Sequence, residues 1–279
     1  MDRIAAGIDG CISSLSDAGS GDAALAIMTT DTVPKEFACE VELSEGAVRL
    51  GTIAKGSGMI APNMATMICI LTTDATIAPD VLDGLLRPAV DASFNQICID
   101  NDMSTSDTVL VFANGESDTP ALQPDSGDYR TFADALAALC RHMAQWLVKD
   151  GEGATKFVEI AVTGTQSDED AKTIARAIGN SQLCKTAFFG EDPNWGRFAC
   201  AAGYAGVAFD PADLNITLGE VPICTGGLAG DYNEEDAAAV MKNPEFRIGV
   251  SVGTGPGQAL FWTSDLSHDY VSINADYRT

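Results

Sequence analysis

The chain has 279 residues, 46% of them hydrophobic, enough to bury a sizeable core as one large domain or two modest ones. Its 40 acidic and 16 basic residues leave a net charge of −24, which repels polyphosphate backbones and anionic lipid headgroups and so counts against nucleic-acid and membrane-surface roles. The 8 cysteines include no CxxC pair and there are only 2 histidines, His142 and His268, so reduced, buried thiols of a cytoplasmic protein are expected, not a disulfide framework or a metal centre.

No basic region followed by an apolar run opens the chain, and no segment approaches the ~20 apolar residues that span a bilayer, so neither a targeting signal nor an anchor is expected. Residues 16–27 read as a loop leading into a short apolar element that ends at Met28-Thr29-Thr30. Residues 40–50 alternate as in a hairpin around Glu45-Gly46. A glycine-rich stretch follows, and the continuous apolar run 67–71 predicts a strand buried on both faces, with Thr66 at its leading end. Helical spacing recurs through Val81, Leu82, Leu85, Leu86, Ala89 and Val90, where Pro88 is expected to kink or break the helix. The polar turn 100–107 precedes a β-type run at 108–113, and Phe132, Leu136, Leu139, Met143, Trp146 and Leu147 mark a second amphipathic helix ending near Asp150-Gly151.

Beyond Lys156 the grammar restarts, which puts a soft boundary there. Residues 157–162 read as a strand, Ser167-Asp-Glu-Asp170 as a capping box opening a helix as far as Gly179, and 183–189 as a further strand. Asn194-Trp-Gly-Arg197 enters a small-residue helix, β-type segments follow at 216–218, 221–224, 246–252 and 259–263, and a helix covers 234–241. Gly253-Thr-Gly-Pro-Gly257 reads as a turn and not a nucleotide site, because a strand follows it and no Lys-Ser/Thr completes a phosphate loop. His268-Asp269 reads as a surface turn in preference to a ligand pair or dyad.

The stretch Lys55-Gly-Ser-Gly-Met-Ile-Ala-Pro-Asn-Met-Ala65-Thr66 carries the most chemistry. The Thr66 hydroxyl, beside the small Ala65, can attack the preceding carbonyl. Hydrolysis of the resulting ester would cut the chain and give Thr66 a free α-amino group, which then serves as base for its own hydroxyl. Taken alone, Ala65-Thr66 is better read as nothing more than a turn before a buried strand.

The whole stretch resembles the cleavage-site signature of the ornithine acetyltransferase family, the glutamate N-acetyltransferases. Ile27-Met-Thr-Thr-Asp-Thr32, Asp150-Gly-Glu-Gly-Ala-Thr-Lys156, Gly190-Glu-Asp-Pro-Asn-Trp-Gly-Arg197, Trp262-Thr-Ser-Asp-Leu266 and Tyr270-Val-Ser-Ile-Asn-Ala-Asp-Tyr-Arg-Thr279 resemble the same family in the same order. The resemblance implies an α/β fold, a layered α+β sandwich of the N-terminal-threonine ornithine acetyltransferase and aminopeptidase type with a smaller C-terminal α+β domain. The implied divisions are 1–65, 66–156 and 157–279. It further implies cleavage between Ala65 and Thr66, catalysis by Thr66, and transfer of acetyl from N2-acetylornithine to glutamate through acetyl-Thr66 in arginine biosynthesis. No metal or other cofactor is implied; some family members accept acetyl-CoA as co-substrate.

Carried over by position, the substrate contacts are Thr29, Lys55, Thr66, Glu152, Asn274 and Thr279. Lys55 suits the substrate carboxylate and Glu152 the substrate amine, while Arg197 is assigned to structure. The implied assembly is two α and two β fragments. One departure stands out: family members have a longer segment before the cut, with a Thr-Gly oxyanion pair that residues 1–65 lack, which suggests a fragment or a misassigned start. Loss of one oxyanion donor costs about 10² to 10³ in rate. The alternatives are an N-terminal-threonine amidase or aminopeptidase, in which water replaces glutamate, and a truncated, inactive remnant.

Overall fold

The computed structural model describes residues 1–61 and 67–276. Helix α1 (Asp2–Ser13) carries Ile4, Ile8 and Ile12 at helical spacing and buries none of its residues, and the short α2 (Ser20–Ala26) buries Ala24. The expected hairpin is β1 (Lys35–Leu43) with β2 (Gly46–Lys55), in antiparallel register from Lys35↔Ala54 to Leu43↔Gly46. Strand β3 (Ile68–Thr73) runs antiparallel to β2. Next come α3 (Pro79–Asp91), a single 3-10 turn, β4 (Ile97–Cys98) and β5 (Thr108–Ala113), which is parallel to β3 and completes a sheet ordered β1-β2-β3-β5. The long α4 (Gly127–Lys149) starts at Ser126, whose hydroxyl accepts the Tyr129 N–H, and its buried stripe Phe132, Leu136, Leu139, Cys140, Met143 and Leu147 covers the inner face of this sheet.

Two of these elements differ from the sequence reading. β3 is buried on one face only: Cys69 and Leu71 face the core, while the row Ile53, Ile70 and Leu110 on the outer face is at most half-buried. A short apolar run does not by itself distinguish one covered face from two. α3 runs through Pro88 to Asp91 without breaking, because Pro88 and Gly84, whose carbonyl the missing N–H would have met, both lie on the exposed side where water can serve that carbonyl.

The remaining elements are β6 (Phe157–Gly164), α5 (Asp168–Asn180), α6 (Gln182–Phe189), α7 (Trp195–Gly203), β7 (Asn215–Leu218), β8 (Val221–Thr225), β9 (Leu228–Ala229), α8 (Glu234–Lys242), β10 (Glu245–Ser251), β11 (Gly255–Ser264) and α9 (His268–Asp276). They form a mixed sheet ordered β4-β11-β6-β10-β7-β8-β9. One face packs Val158, Ile160 and Val162 against Ile174 and Ile178 of α5. At the other face Phe157 and Trp262 join the α4 core, so α4 touches both sheets. Sheet, helix pair, sheet and helices thus stack as layers of one α/β fold.

The segment expected as a strand at 183–189 is helix α6. Ser181 caps it by accepting the Cys184 N–H, and the buried positions Cys184, Lys185, Ala187 and Phe188 follow helical, not alternating, spacing. His268-Asp269, expected as a surface turn, opens α9, with the His268 ring edge-on to Phe189 at 5.5 Å. Arg197, assigned to structure from the sequence, donates from Nη1 to the Leu183 carbonyl at 2.8 Å.

Candidate active site

The glycine-rich stretch leaves the end of β2 as a loop whose residues Gly56, Ser57, Met59 and Ile60 are held by sequence-distant parts of the chain. Gly56 N–H donates to Asp31 Oδ1 at 2.7 Å. The Ser57 hydroxyl shares a 2.6 Å hydrogen bond with that of Thr30, and the Ser57 carbonyl accepts the Glu152 N–H at 2.7 Å. Met59 and Ile60 N–H donate to the two Asp100 oxygens at 2.6 and 2.9 Å, and Ile99 N–H donates to the Ile60 carbonyl at 2.8 Å. On the far side of 62–66, Met67 N–H donates to Asp107 Oδ1 at 3.1 Å.

A buried ionic group anchors the upstream end. Lys35 has no solvent exposure, and its Nζ lies 2.7 Å from Asp31 Oδ1 and 2.5 Å from Asp150 Oδ2. Thr32 adds its N–H and hydroxyl to Asp150. Burial pushes the Asp31 carboxyl up, but the Gly56 and Thr29 N–H groups and the Lys35 ammonium outweigh it and hold Asp31 below the ordinary carboxylate value. Asp31 therefore stays charged and fixes Gly56. At Asp100 burial wins over its three backbone donors and pushes the carboxyl up; burial first, then Asp100, pushes the Tyr270 hydroxyl up as well.

Sequence-distant groups converge on this loop. Asn274 Nδ2 of α9 donates to Glu152 Oε2 at 2.7 Å across 122 residues of sequence. The Glu152 carboxylate lies directly over Gly58: a Cβ there would meet it at 2.5 Å, so a side chain at this position would push the carboxylate aside. Gly153 has φ +66, and a Cβ there would meet the Tyr270 nitrogen at 2.5 Å, which lets α9 approach this closely. Ser267 Oγ donates to the Gly153 carbonyl at 2.6 Å, Tyr270 Oη donates to Asp100 Oδ2 at 3.2 Å, and Asp265 accepts the Thr155 and Lys156 N–H groups.

Of the residues singled out from sequence, Lys55 is buried at the end of β2, three positions before Gly58, and Glu152 and Asn274 are in direct contact. Thr29 is exposed and its N–H donates to Asp31 Oδ2 at 3.2 Å; of the Thr29-Thr30 pair it is the half-buried Thr30 whose hydroxyl reaches the loop. Ala65, Thr66 and Thr279 lie outside the described residues. Sequence reasoning missed Asp31, Lys35, Asp100, Asp107, Asp150 and Tyr270 as supports. Asp31, Asp150 and Tyr270 stood inside motif blocks without a role, and the signal for Asp100 and Asp107 was an aspartate at each end of one polar turn.

A layered α/β protein whose glycine loop runs past a carboxylate–amide pair into a core strand is the class that fold and site define. It is similar to a crystal structure titled arginine biosynthesis bifunctional protein argJ from Bacillus halodurans, with TM-score 0.71 and 38% identity over 74% of this chain and 97% of that one. The ArgJ family profile matches residues 1–279 in full, and the chain belongs to that family. Curated relatives named arginine biosynthesis bifunctional protein ArgJ include those of Symbiobacterium thermophilum, 47% identical over 100% of this chain and 69% of the relative, and Chlorobaculum tepidum, 49% identical over 92% and 63%.

Proposed function

We propose that the chain cuts itself between Ala65 and Thr66 and then moves an acetyl group from N2-acetylornithine to glutamate in arginine biosynthesis. In this reading the Thr66 Oγ1 attacks the acetyl carbonyl, the amide C–N bond breaks, and ornithine leaves with the proton that the Thr66 amine relays. The glutamate amine then attacks the acetyl ester, the Thr66 oxygen departs, and the proton lost by the glutamate nitrogen passes through the Thr66 amine to that oxygen. Two addition–elimination steps thus replace one direct amide exchange. Lys55 faces the carboxylate common to both amino acids, Glu152 with Asn274 faces the amine, and Thr29 and Thr279 complete the binding set. Relatives are named bifunctional, and we assign acetyl-CoA-dependent synthesis of N-acetylglutamate as the second activity.

The observation that carries this reading is the Glu152–Asn274 contact laid over Gly58, on the loop that leads to Thr66. We assign the product as two associated pieces, 1–65 and 66–279, in a heterotetramer of two copies each, acting in the cytoplasm.

The test is intact-mass measurement followed by incubation with acetyl-labelled N2-acetylornithine, with and without glutamate. Two masses split before Thr66 and label passing to glutamate are expected. Label released as acetate regardless of glutamate would establish an amidase instead, and an uncut, unlabelled chain an inactive remnant.

A further inference from the structure

The turn 100–107 holds the chain on both sides of 62–66. From its first residue, Asp100 takes the Met59 and Ile60 N–H groups; from its last, Asp107 takes the Met67 N–H, and the next residue, Thr108, donates its own N–H to the Met67 carbonyl at 3.0 Å. Met67 is therefore gripped at both its nitrogen and its oxygen. The Met67 nitrogen is the atom bonded to the Thr66 carbonyl carbon. Once the bond before Thr66 is cut, residue 66 is a chain end attached to the protein through Met67 alone, and a chain end not tied down frays. A nucleophile displaced by about 1 Å loses about 10²-fold in rate.

We propose that Asp107 is a positioning residue for Thr66, acting through the Met67 N–H, with Asp100 holding the upstream side of the same segment. The role is that of an acceptor, not of a charge. Asp107 Oδ2 is buried and has no hydrogen-bond partner among the described residues, while Oδ1 takes the Met67 N–H. Burial pushes the Asp107 carboxyl up more than the N–H donors and nearby Lys55 push it down, which also fits a group used for its lone pair.

The inference rests on Thr66 being the nucleophile. Its test compares Asp107→Ala and Asp107→Asn with the parent, using Asp128→Ala as a control for losing a carboxylate that only binds the hairpin turn at Ser44. The readouts are the fraction cut by intact mass, kcat and KM for acetyl transfer, and amide hydrogen exchange at Met67. Asp107→Ala is expected to lower kcat by about 10- to 100-fold with KM within about threefold, and to speed exchange at Met67. Asp107→Asn retains an oxygen acceptor and stays within about fivefold of the parent. Should Asp107→Ala not melt cooperatively, Asp107→Ser, too short to span to Met67, replaces it. Parent-like kcat in the Ala and Ser variants overturns the inference, as does an Asn variant no better than Ala. A parent that stays uncut and transfers nothing removes the functional reading and this inference together, whereas a cut, active parent beside an equally active Ala variant removes only the latter.

Discussion

Replacing Lys35 by Met tests whether the site loop depends on a buried ion group. Lys35 has no exposure and stands between two carboxylates at 2.7 and 2.5 Å, both almost fully removed from solvent. Methionine fills a similar volume but leaves Asp31 and Asp150 facing one another with no cation between. Breaking a buried pair in this way costs about 3–5 kcal/mol, and for a chain of this size each kcal/mol moves the melting temperature by about 2–4 °C, so a drop of about 10 °C is expected near neutral pH. The pH dependence carries a sign. Asp31 in the parent sits below its unfolded value, so its contribution is fully present above that value and is lost as pH falls through the folded one. In the variant, burial acts on Asp31 without Lys35, its carboxyl rises, and protonation relieves the repulsion. The gap between the melting curves of parent and variant should therefore narrow as pH falls from neutral towards the ordinary carboxylate range. Differential scanning fluorimetry across that range measures it. A drop under about 2 °C, or a gap that widens on acidification, would refute the reasoning.

Gly58→Ala drives a Cβ to within 2.5 Å of the Glu152 carboxylate; acetyl transfer should fall by tenfold or more while stability changes by about 1–3 kcal/mol, and unchanged steady-state kinetics would count against Glu152 as a substrate contact. Asn274→Ala removes the 2.7 Å bond to Glu152 and is expected to raise KM about tenfold with little change in kcat, an effect that initial-rate measurements separate directly. Ser167→Ala loses the cap that accepts the Asp170 N–H at the start of α5, which should cost about 1 kcal/mol in urea unfolding and leave turnover intact. Burial raises the thiols of Cys69, Cys98 and Cys184 to about 11 and of Cys140 to about 12, so timed thiol labelling of the native protein should find Cys11 and Cys200, the exposed pair, reacting first; rapid modification of Cys140 would contradict its burial.

The sequence reading succeeded where local chemistry and packing agree. The 40–50 alternation, the Ser167 cap and the α4 stripe are each decided by neighbours within a few positions, and each appears in the fold. It failed where the deciding contact is remote. Residues 183–189 contain enough apolar side chains for a strand, but the buried Lys185, which donates to Thr263 Oγ1 at 2.8 Å across 78 residues of sequence, belongs to a helix. Continuous apolarity at 67–71 could not reveal that one face of β3 is left half-open. At the site, family-like motifs single out Lys55, Glu152 and Asn274 as expected contacts, whereas the aspartates that hold the loop have no role in those motifs, because their partners are backbone N–H groups 25 to 41 residues away; the Asp at each end of the polar turn 100–107 is the one local trace of them. No side-chain pattern encodes such a partner.

The ladder between β2 and β3 has a consequence for a chain severed ahead of Thr66. Six registered pairs, from Leu50↔Thr73 to Lys55↔Ile68, stitch the last strand before the break to the first strand after it. The scission would remove one covalent link from a seam that the sheet already closes, so the two polypeptides should migrate as one particle under native conditions and come apart only when the fold itself melts.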